Sequence, residues 1–223
     1  MVKPSNNKQA DLYECTLTNN EEISPDVHLI SYKRSFEFIP GQVVKIGLND
    51  KNPPRIYSIC SGNQEEEIRI LFNIKEDGFL TPRLAGLIPG EQILVSQPYG
   101  SFLGDKKPAW WIAAGTGIAP FYSMFRSGLE ENKTLIHGVR HLNQFYFEDE
   151  LEWALGKNYI RCCSQESSCD VYPGRVTKYL SELDVLPDVK YYICGKAEMV
   201  VEVRDLLIER GVPFNTILAE IYF

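Results

Sequence analysis

Long apolar runs are missing from this chain. No stretch of its 223 residues approaches the roughly 20 consecutive apolar positions a helix needs to cross a bilayer, and the first residues carry no charged-then-apolar leader. Cysteine pairs are missing as well. The six cysteines stand at 15, 60, 162, 163, 169 and 194 and form no CxxC, and no histidine lies at zinc-finger spacing from the 162–169 group. His28, His137 and His141 are scattered or out of phase, which leaves a metal site with little support. The expectation from these absences is a cytoplasmic protein with reduced thiols, no metal and no membrane span. A basic excess is absent too. The net charge is −7, made up of −3 over residues 1–104 (10 basic, 13 acidic) and −4 over residues 105–223 (13 basic, 17 acidic). Neither half is a nucleic-acid-binding module on that balance. Any acidic ligand must find local cations or helix N-termini.

What is present divides into two rhythms. The composition, 44% apolar and 24% charged, is that of a folded globular chain. Up to about residue 103, short β-branched and aromatic runs alternate with turn signals: DLYECTLT, VHLISYK, GQVVKIGL, RIYSICSG, EIRILFNIK and EQILVSQP. Six such runs predict a small antiparallel barrel, interrupted by one helix at TPRLAGL. After residue 107, strand and helix alternate. PAWWIAAG, KTLIHGV, YIRCCS, KYYICG and FNTILAEIYF read as strands. IAPFYSMFRSGLE, FYFEDELEWAL, GRVTKYLSEL and AEMVVEVRDLLIERG read as helices. That alternation predicts an α/β, doubly wound parallel sheet. The boundary falls near GSFLGDKKP, giving domains at 1–104 and 105–223.

Three stretches carry chemistry. In DGFLTPRLAGL, Gly78 permits a sharp turn, Thr81 is a natural N-cap and Pro82 suits the first helical position. The free N–H groups and positive dipole end of such a helix suit a pyrophosphate, although the same stretch also reads as a plain capped helix. In WWIAAGTGIAPF a buried strand runs into Gly115, Thr116 and Gly117 at the first strand–helix turn of the α/β half. Small residues there let a dinucleotide diphosphate approach the backbone, although Pro120 replaces the third glycine of the full GxGxxG pattern. In RIYS, period-two alternation puts Arg55 and Tyr57 on one face and Ile56 and Ser58 on the other. A flat phosphorylated ligand would take a guanidinium fork from Arg55, a ring face from Tyr57 and a hydrogen bond from Ser58. On their own these are also an exposed arginine, a strand aromatic and a turn hydroxyl.

In order along the chain, PGQVV (40–44), RIYSICS (55–61), DGFLTPRL (77–84), PYGSF (98–102), AAGTGIAPF (113–121), HGVR (137–140), YYICGKAEMV (191–200) and EIYF (220–223) resemble the ferredoxin–NADP reductase family in its compact bacterial form. The resemblance spans about residues 10 to 223, and no cysteine pattern suits an attached iron–sulfur domain. It implies an antiparallel β-barrel FAD domain followed by a doubly wound parallel-sheet NAD(P) domain, and an oxidoreductase using FAD and NADP, with NAD as alternative. Arg55 would bind the FAD diphosphate, Tyr57 would stack on the flavin, and Ser58 would bond near flavin N5. Gly78 and Thr81 would give the second phosphate contact, and Ile56 and Asn73 would also be cofactor-binding. Gly115, Thr116 and Gly117 would line the NAD(P) diphosphate, and Arg140 and Arg175 the 2′-phosphate. Cys194 and Gly195 would lie near the nicotinamide. Ser58, Cys194 and Glu220 would be the catalytic set, with Phe223 or Tyr222 covering the flavin's other face.

Where relatives carry a third arginine in a SRE segment, this chain has Gln165 in CSQE, which would relax the NADPH preference. The expected partner is a ferredoxin or flavodoxin, with Lys33, Arg34, Lys45, Arg69 and Arg83 as candidates for a docking patch. Two other readings remain open. One is the NAD(P)H-dependent reductase of an oxygenase, or an NAD(P)H–flavin reductase. The other is a non-catalytic flavin- or nucleotide-binding regulatory subunit, which would hold FAD that no nicotinamide reduces.

Overall fold

The computed structural model describes residues 12–48 and 52–222. Its first half holds six strands: β1 (Leu12–Ser24), β2 (Val27–Lys33), β3 (Val43–Gly47), β4 (Arg55–Ser58), β5 (Glu67–Asn73) and β6 (Gln92–Ser96). They lie in the order β4-β3-β6-β1-β2-β5, each neighbour antiparallel. The two edges meet. An Ile59–Ile70 bridge and a 2.8 Å bond from the Cys60 N–H to the Arg69 carbonyl bring the end of β4 onto β5. This closes the sheet and removes exposed strand edges there. Inside the closure pack Leu17, Ile30, Val44, Ile46, Ile59 and Ile70, all buried.

The run VHLISYK lacks clean polar alternation, and the structure explains it. Ile30 and Tyr32 of β2 face the barrel interior, while Val27 and Leu29 face outward into a second core shared with Trp111, Phe121 and Tyr122. A strand buried on both faces reads as a continuous apolar run.

That second core belongs to the α/β half: β7 (Ala109–Ala114), α2 (Ala119–Arg126), β8 (Lys133–Val139), α3 (Glu148–Leu155), β9 (Tyr159–Cys163), β10 (Tyr172–Pro173), α4 (Val176–Glu182), β11 (Lys190–Lys196), α5 (Ala197–Glu209) and β12 (Ile217–Tyr222), with α1 (Thr81–Ala85) back in the first half. The second sheet runs β10-β9-β8-β7-β11-β12, all parallel. The chain winds outward from β7 to β10, then returns to β11 on the other side of β7. The crevice at the carboxyl ends of β7 and β11 is therefore the topological switch point, where doubly wound sheets bind ligands.

Some helix limits differ from the sequence expectation. α3 starts at Glu148 rather than at residue 145, because Phe147 is left-handed (φ 62°) and stacks on Tyr122 with centroids 3.8 Å apart. α2 stops at Arg126, where the Leu129 N–H turns back to the Met124 carbonyl. The two-residue β10 is too short to show a periodicity. Thr81 does not cap α1. The N-cap position is Leu80, and the Thr81 hydroxyl accepts from the Lys75 N–H at 2.8 Å, closing the Gly78 turn instead. A five-residue helix is not stable alone. Asn20 holds it from β1, its side-chain amide donating to the carbonyls of Leu84, Ala85 and Leu87 at 2.7–3.1 Å.

Polar contacts lock the two halves. Glu65 of the first half accepts from Arg69 at 2.6 Å and from Arg126 of α2 at 2.9 Å, and Arg126 also bonds Glu150 of α3 at 2.7 Å. The Ser123 hydroxyl donates to the Ser61 carbonyl at 2.7 Å. At this seam Gly62 touches α2 so closely that a Cβ would sit 2.4 Å from the Arg126 carbonyl. Gly62→Ala should therefore wedge the halves apart and lower stability by about 1–3 kcal/mol. Urea denaturation measures this, and an unchanged midpoint would show that the seam yields freely.

Candidate functional site

β4 carries RIYS up the edge of the barrel. Burial rises along it rather than alternating: Arg55 and Ile56 are exposed, Tyr57 is half-buried and Ser58 is 2% exposed. The expected two-face split gives way because β4 pairs with one neighbour, β3, while its far end enters the contact between the halves. Tyr57 packs edge-on against Phe72 with centroids 6.1 Å apart, and burial pushes its pKa up to about 12. Ile56 projects into solvent, so any cofactor contact from it comes through the outer backbone edge of β4.

At the top of β4 the Ser58 hydroxyl donates to Glu220 Oε2 at 2.7 Å. Glu220 lies on β12, in register with Cys194 on β11. Burial raises the Glu220 carboxyl above its ordinary 4.5, and the Ser58 bond opposes this. The Cys194 thiol is fully buried and pushed well up, with the Glu220 charge adding to the effect of burial. The Tyr222 hydroxyl is buried beside Ser58 and Cys194 without forming a well-shaped hydrogen bond to either. Ser58, Cys194, Glu220 and Tyr222 thus converge from three strands and both halves. Phe223 lies outside the described residues.

The Gly115–Ile118 turn leads from β7 into α2. Gly115 is left-handed (φ 53°) with open space where a Cβ would be. Gly117 is pressed against β11, and a Cβ there would sit 2.3 Å from the Cys194 carbonyl. Gly195 follows Cys194 in β11. Thr116 donates its hydroxyl to Asn73 Oδ1 at 2.8 Å, tying this turn to the end of β5. Asn73 therefore meets the nucleotide-side turn. One residue of the site was visible in HGVR without a role: His137, whose Nε2 lies 3.1 Å from the Gly115 carbonyl.

Arg140 follows β8 and Arg175 precedes α4. The Arg140 carbonyl accepts from the Gln165 N–H at 3.1 Å, so the CSQE segment adjoins it. The neighbouring Glu166 carboxylate is already engaged by the Leu142 N–H at 2.6 Å and by His141 at 3.0 Å. The chain has ten arginines. Arg34, Arg69, Arg83, Arg126, Arg161, Arg204 and Arg210 make ion pairs or hydrogen bonds. Among the described residues, only the guanidinium groups of Arg55, Arg140 and Arg175 make neither, and these are the three that the family resemblance assigns to phosphates. An uncommitted guanidinium retains its full fork for an incoming anion.

Four of the five candidate docking cations already have a partner within the chain. Arg34 pairs with Glu37, Arg69 with Glu65, Arg83 lies over the Phe79 ring and Lys45 over that of Tyr99.

The donor set suits FAD. Arg55 is uncommitted, and the Thr81 hydroxyl, which accepts from Lys75, keeps its proton for a phosphate oxygen. The orphaned Tyr222 hydroxyl lies where a polar ring edge would give it a partner.

Comparison with known proteins agrees with this geometry. Residues 14–103 match the family model described as oxidoreductase FAD-binding domain, and residues 111–205 match the oxidoreductase NAD-binding domain. The ferredoxin–NADP reductase of Azotobacter vinelandii is 29% identical over 218 residues, covering 83% of this chain and 84% of its own. The toluate 1,2-dioxygenase electron transfer component of Pseudomonas putida is 27% identical over 220 residues, covering 91% of this chain and 66% of its own. Among solved structures, a ferredoxin NADP+ reductase from Neisseria gonorrhoeae with bound FAD and NADP superposes with a TM-score of 0.86 at 22% identity, over 96% of this chain and 100% of the other.

The raised Glu220 pKa has a testable sign. The fold favours the protonated carboxyl, so this group's contribution to stability is complete below about pH 4.5 and is lost as pH climbs through the folded value. Glu220→Gln, neutral throughout, should gain on the wild type between pH 4 and pH 7 in urea unfolding. A gap that stays constant over that range would contradict the raised pKa.

Proposed function

The chain belongs to the ferredoxin–NADP reductase family, and on that premise we propose that it is an FAD-dependent reductase moving hydride between NADP(H) and flavin, and single electrons to or from a ferredoxin or flavodoxin. One observation carries the reading: Ser58 of the barrel meets Glu220 across the switch point of the parallel sheet, with Cys194 beside them. Residues 1–104 would form the FAD domain and residues 105–223 the NAD(P) domain.

The bound flavin would supply the exchange between a hydride and single electrons, chemistry that no side chain here provides. The protein's part is to bind, align and exclude water. Arg55 and Thr81 take the FAD diphosphate, with Gly78 shaping the turn. Tyr57 offers its ring face, and Ser58 offers its hydroxyl at the polar edge of the flavin. The Gly115–Gly117 turn receives the NADPH diphosphate, and Arg140 and Arg175 take the 2′-phosphate. Cys194 and Gly195 make a small, dry wall for the nicotinamide. Glu220, its pKa raised by burial, stands where it can supply or take up a proton through the Ser58 hydroxyl. Tyr222 would cover the same place and would move aside for the nicotinamide.

The six cysteines are free thiols, which supports a reducing, cytoplasmic setting. No helix among the described residues is long and apolar enough to cross a membrane. A second reading, the reductase component of an oxygenase, is favoured by the match of the toluate dioxygenase component over 91% of this chain. Steady-state rates with a ferredoxin, a flavodoxin and free flavin separate these readings.

Anaerobic titration with NADPH, then NADH, tests the reading. A yellow protein bleached at low NADPH supports it, and one that neither nucleotide bleaches overturns it in favour of a regulatory flavoprotein. Arg175→Ala should raise KM for NADPH about 10- to 100-fold, the worth of one charge-assisted contact, and leave NADH nearly unchanged. Equal losses for both nucleotides would remove Arg175 from the 2′-phosphate site.

A further inference from the structure

His137 lies at the carboxyl end of β8, beside Ala113 of β7 and Arg161 of β9. It is fully buried, with Phe145 packed edge-on at 5.4 Å. Both ring nitrogens face oxygen: Nε2 the Gly115 carbonyl at 3.1 Å, and Nδ1 the Tyr159 hydroxyl at 3.2 Å. A carbonyl only accepts, so Nε2 must carry a proton. Burial pushes the imidazole pKa down to about 4, which keeps the ring neutral at pH 7 and leaves Nδ1 to accept from Tyr159. The Gly115 carbonyl thereby selects the Nε2–H tautomer, and Tyr159, itself buried, supports it by donating to Nδ1.

The Gly115 carbonyl belongs to the turn that the function above assigns to the nucleotide diphosphate. At its start this turn has no side-chain support, since a Cβ on Gly115 would meet nothing within 4 Å. Its fixed points are the tight approach of Gly117 to the Cys194 carbonyl, the Thr116–Asn73 bond and the His137 bond. The first N–H groups of a helical turn find no partner within it and are free for an anion. Their direction depends on how the peptide planes before them are held.

We propose that His137 is a positioning residue for the pyridine nucleotide: its Nε2–H, supported by Tyr159, holds the Gly115 carbonyl and so aims the Thr116 and Gly117 amides at the diphosphate. The proposal rests on the reading of this turn as the nucleotide site. A role in packing alone would affect the flavin and nucleotide functions together. The positioning role affects the nucleotide first, and is restored by a side chain that returns a donor at the same reach.

The test uses the full-length FAD-loaded enzyme, with NADPH as donor and ferricyanide as a small one-electron acceptor. His137→Leu should raise KM for NADPH about tenfold, with full FAD content and kcat within about twofold. His137→Gln, whose terminal amide can donate to the carbonyl, should recover most of that loss. His137→Asn, which is shorter, should not. In the wild type at pH 7, nitrogen NMR of the ring should show the neutral Nε2–H tautomer, and Tyr159→Phe should weaken that preference and raise KM modestly. An unchanged KM in His137→Leu, loss of FAD in step with KM, or a Gln variant no better than Leu would overturn the positioning role. So would a charged or Nδ1–H imidazole, which can be read even if the Leu variant does not fold. A wild type reduced by neither nucleotide would instead bring down the nucleotide reading on which the role depends.

Discussion

A hydroxyl on an edge strand of one sheet donates to a carboxylate on an edge strand of another, and the rest of the molecule is arranged to keep them 2.7 Å apart. Ser58 and Glu220 are separated by 162 positions. Neither sheet could hold this bond alone. It depends on a shared apolar core in which Val27, Leu29 and Leu71 of the barrel pack with Trp111, Phe121 and Tyr122 of the α/β half. It depends also on the Glu65–Arg126–Glu150 chain of charges along the seam. Core packing fixes distance over the whole contact, and the charged seam fixes register.

The second constraint is electrostatic. A chain of net charge −7 that binds two phosphorylated cofactors cannot rely on its overall field. In the proposed function it would rely on a few cations that no carboxylate has claimed. The guanidinium groups of Arg55, Arg140 and Arg175 stay uncommitted, while Glu166, next to Gln165 in the CSQE segment, is held by His141 and the Leu142 N–H. The side chains that converge at Ser58 are buried or half-buried. Burial raises the pKa of Cys194, Glu220 and Tyr222 alike, which suits an enclosure for hydride transfer better than one for an ionic intermediate.

Much of this was legible in the residues because local physics carried it. Period-two runs, turn residues and strand–helix alternation pointed to the antiparallel barrel and the parallel sheet, and eight colinear motifs carried the family resemblance. What was not legible depended on distant partners. Thr81 has the chemistry of an N-cap, but Lys75 takes its hydroxyl. RIYS has the alphabet of a two-faced strand, but its burial is set by the other half of the molecule. Phe147 sits in a helix-like pattern, but its stack on Tyr122 breaks the helix. His137 looked unremarkable because its partners, Gly115 and Tyr159, are each 22 positions away.

The measurement that bears most directly on the Ser58–Glu220 junction is anaerobic stopped-flow reduction of Ser58→Ala by NADPH, with FAD content and nucleotide affinity measured on the same preparation. If the junction aligns the reacting rings, bleaching slows about 10- to 100-fold while FAD occupancy and NADPH Kd hold. Bleaching at the wild-type rate would contradict the account, leaving that bond as a clasp between two halves whose chemistry is aligned elsewhere.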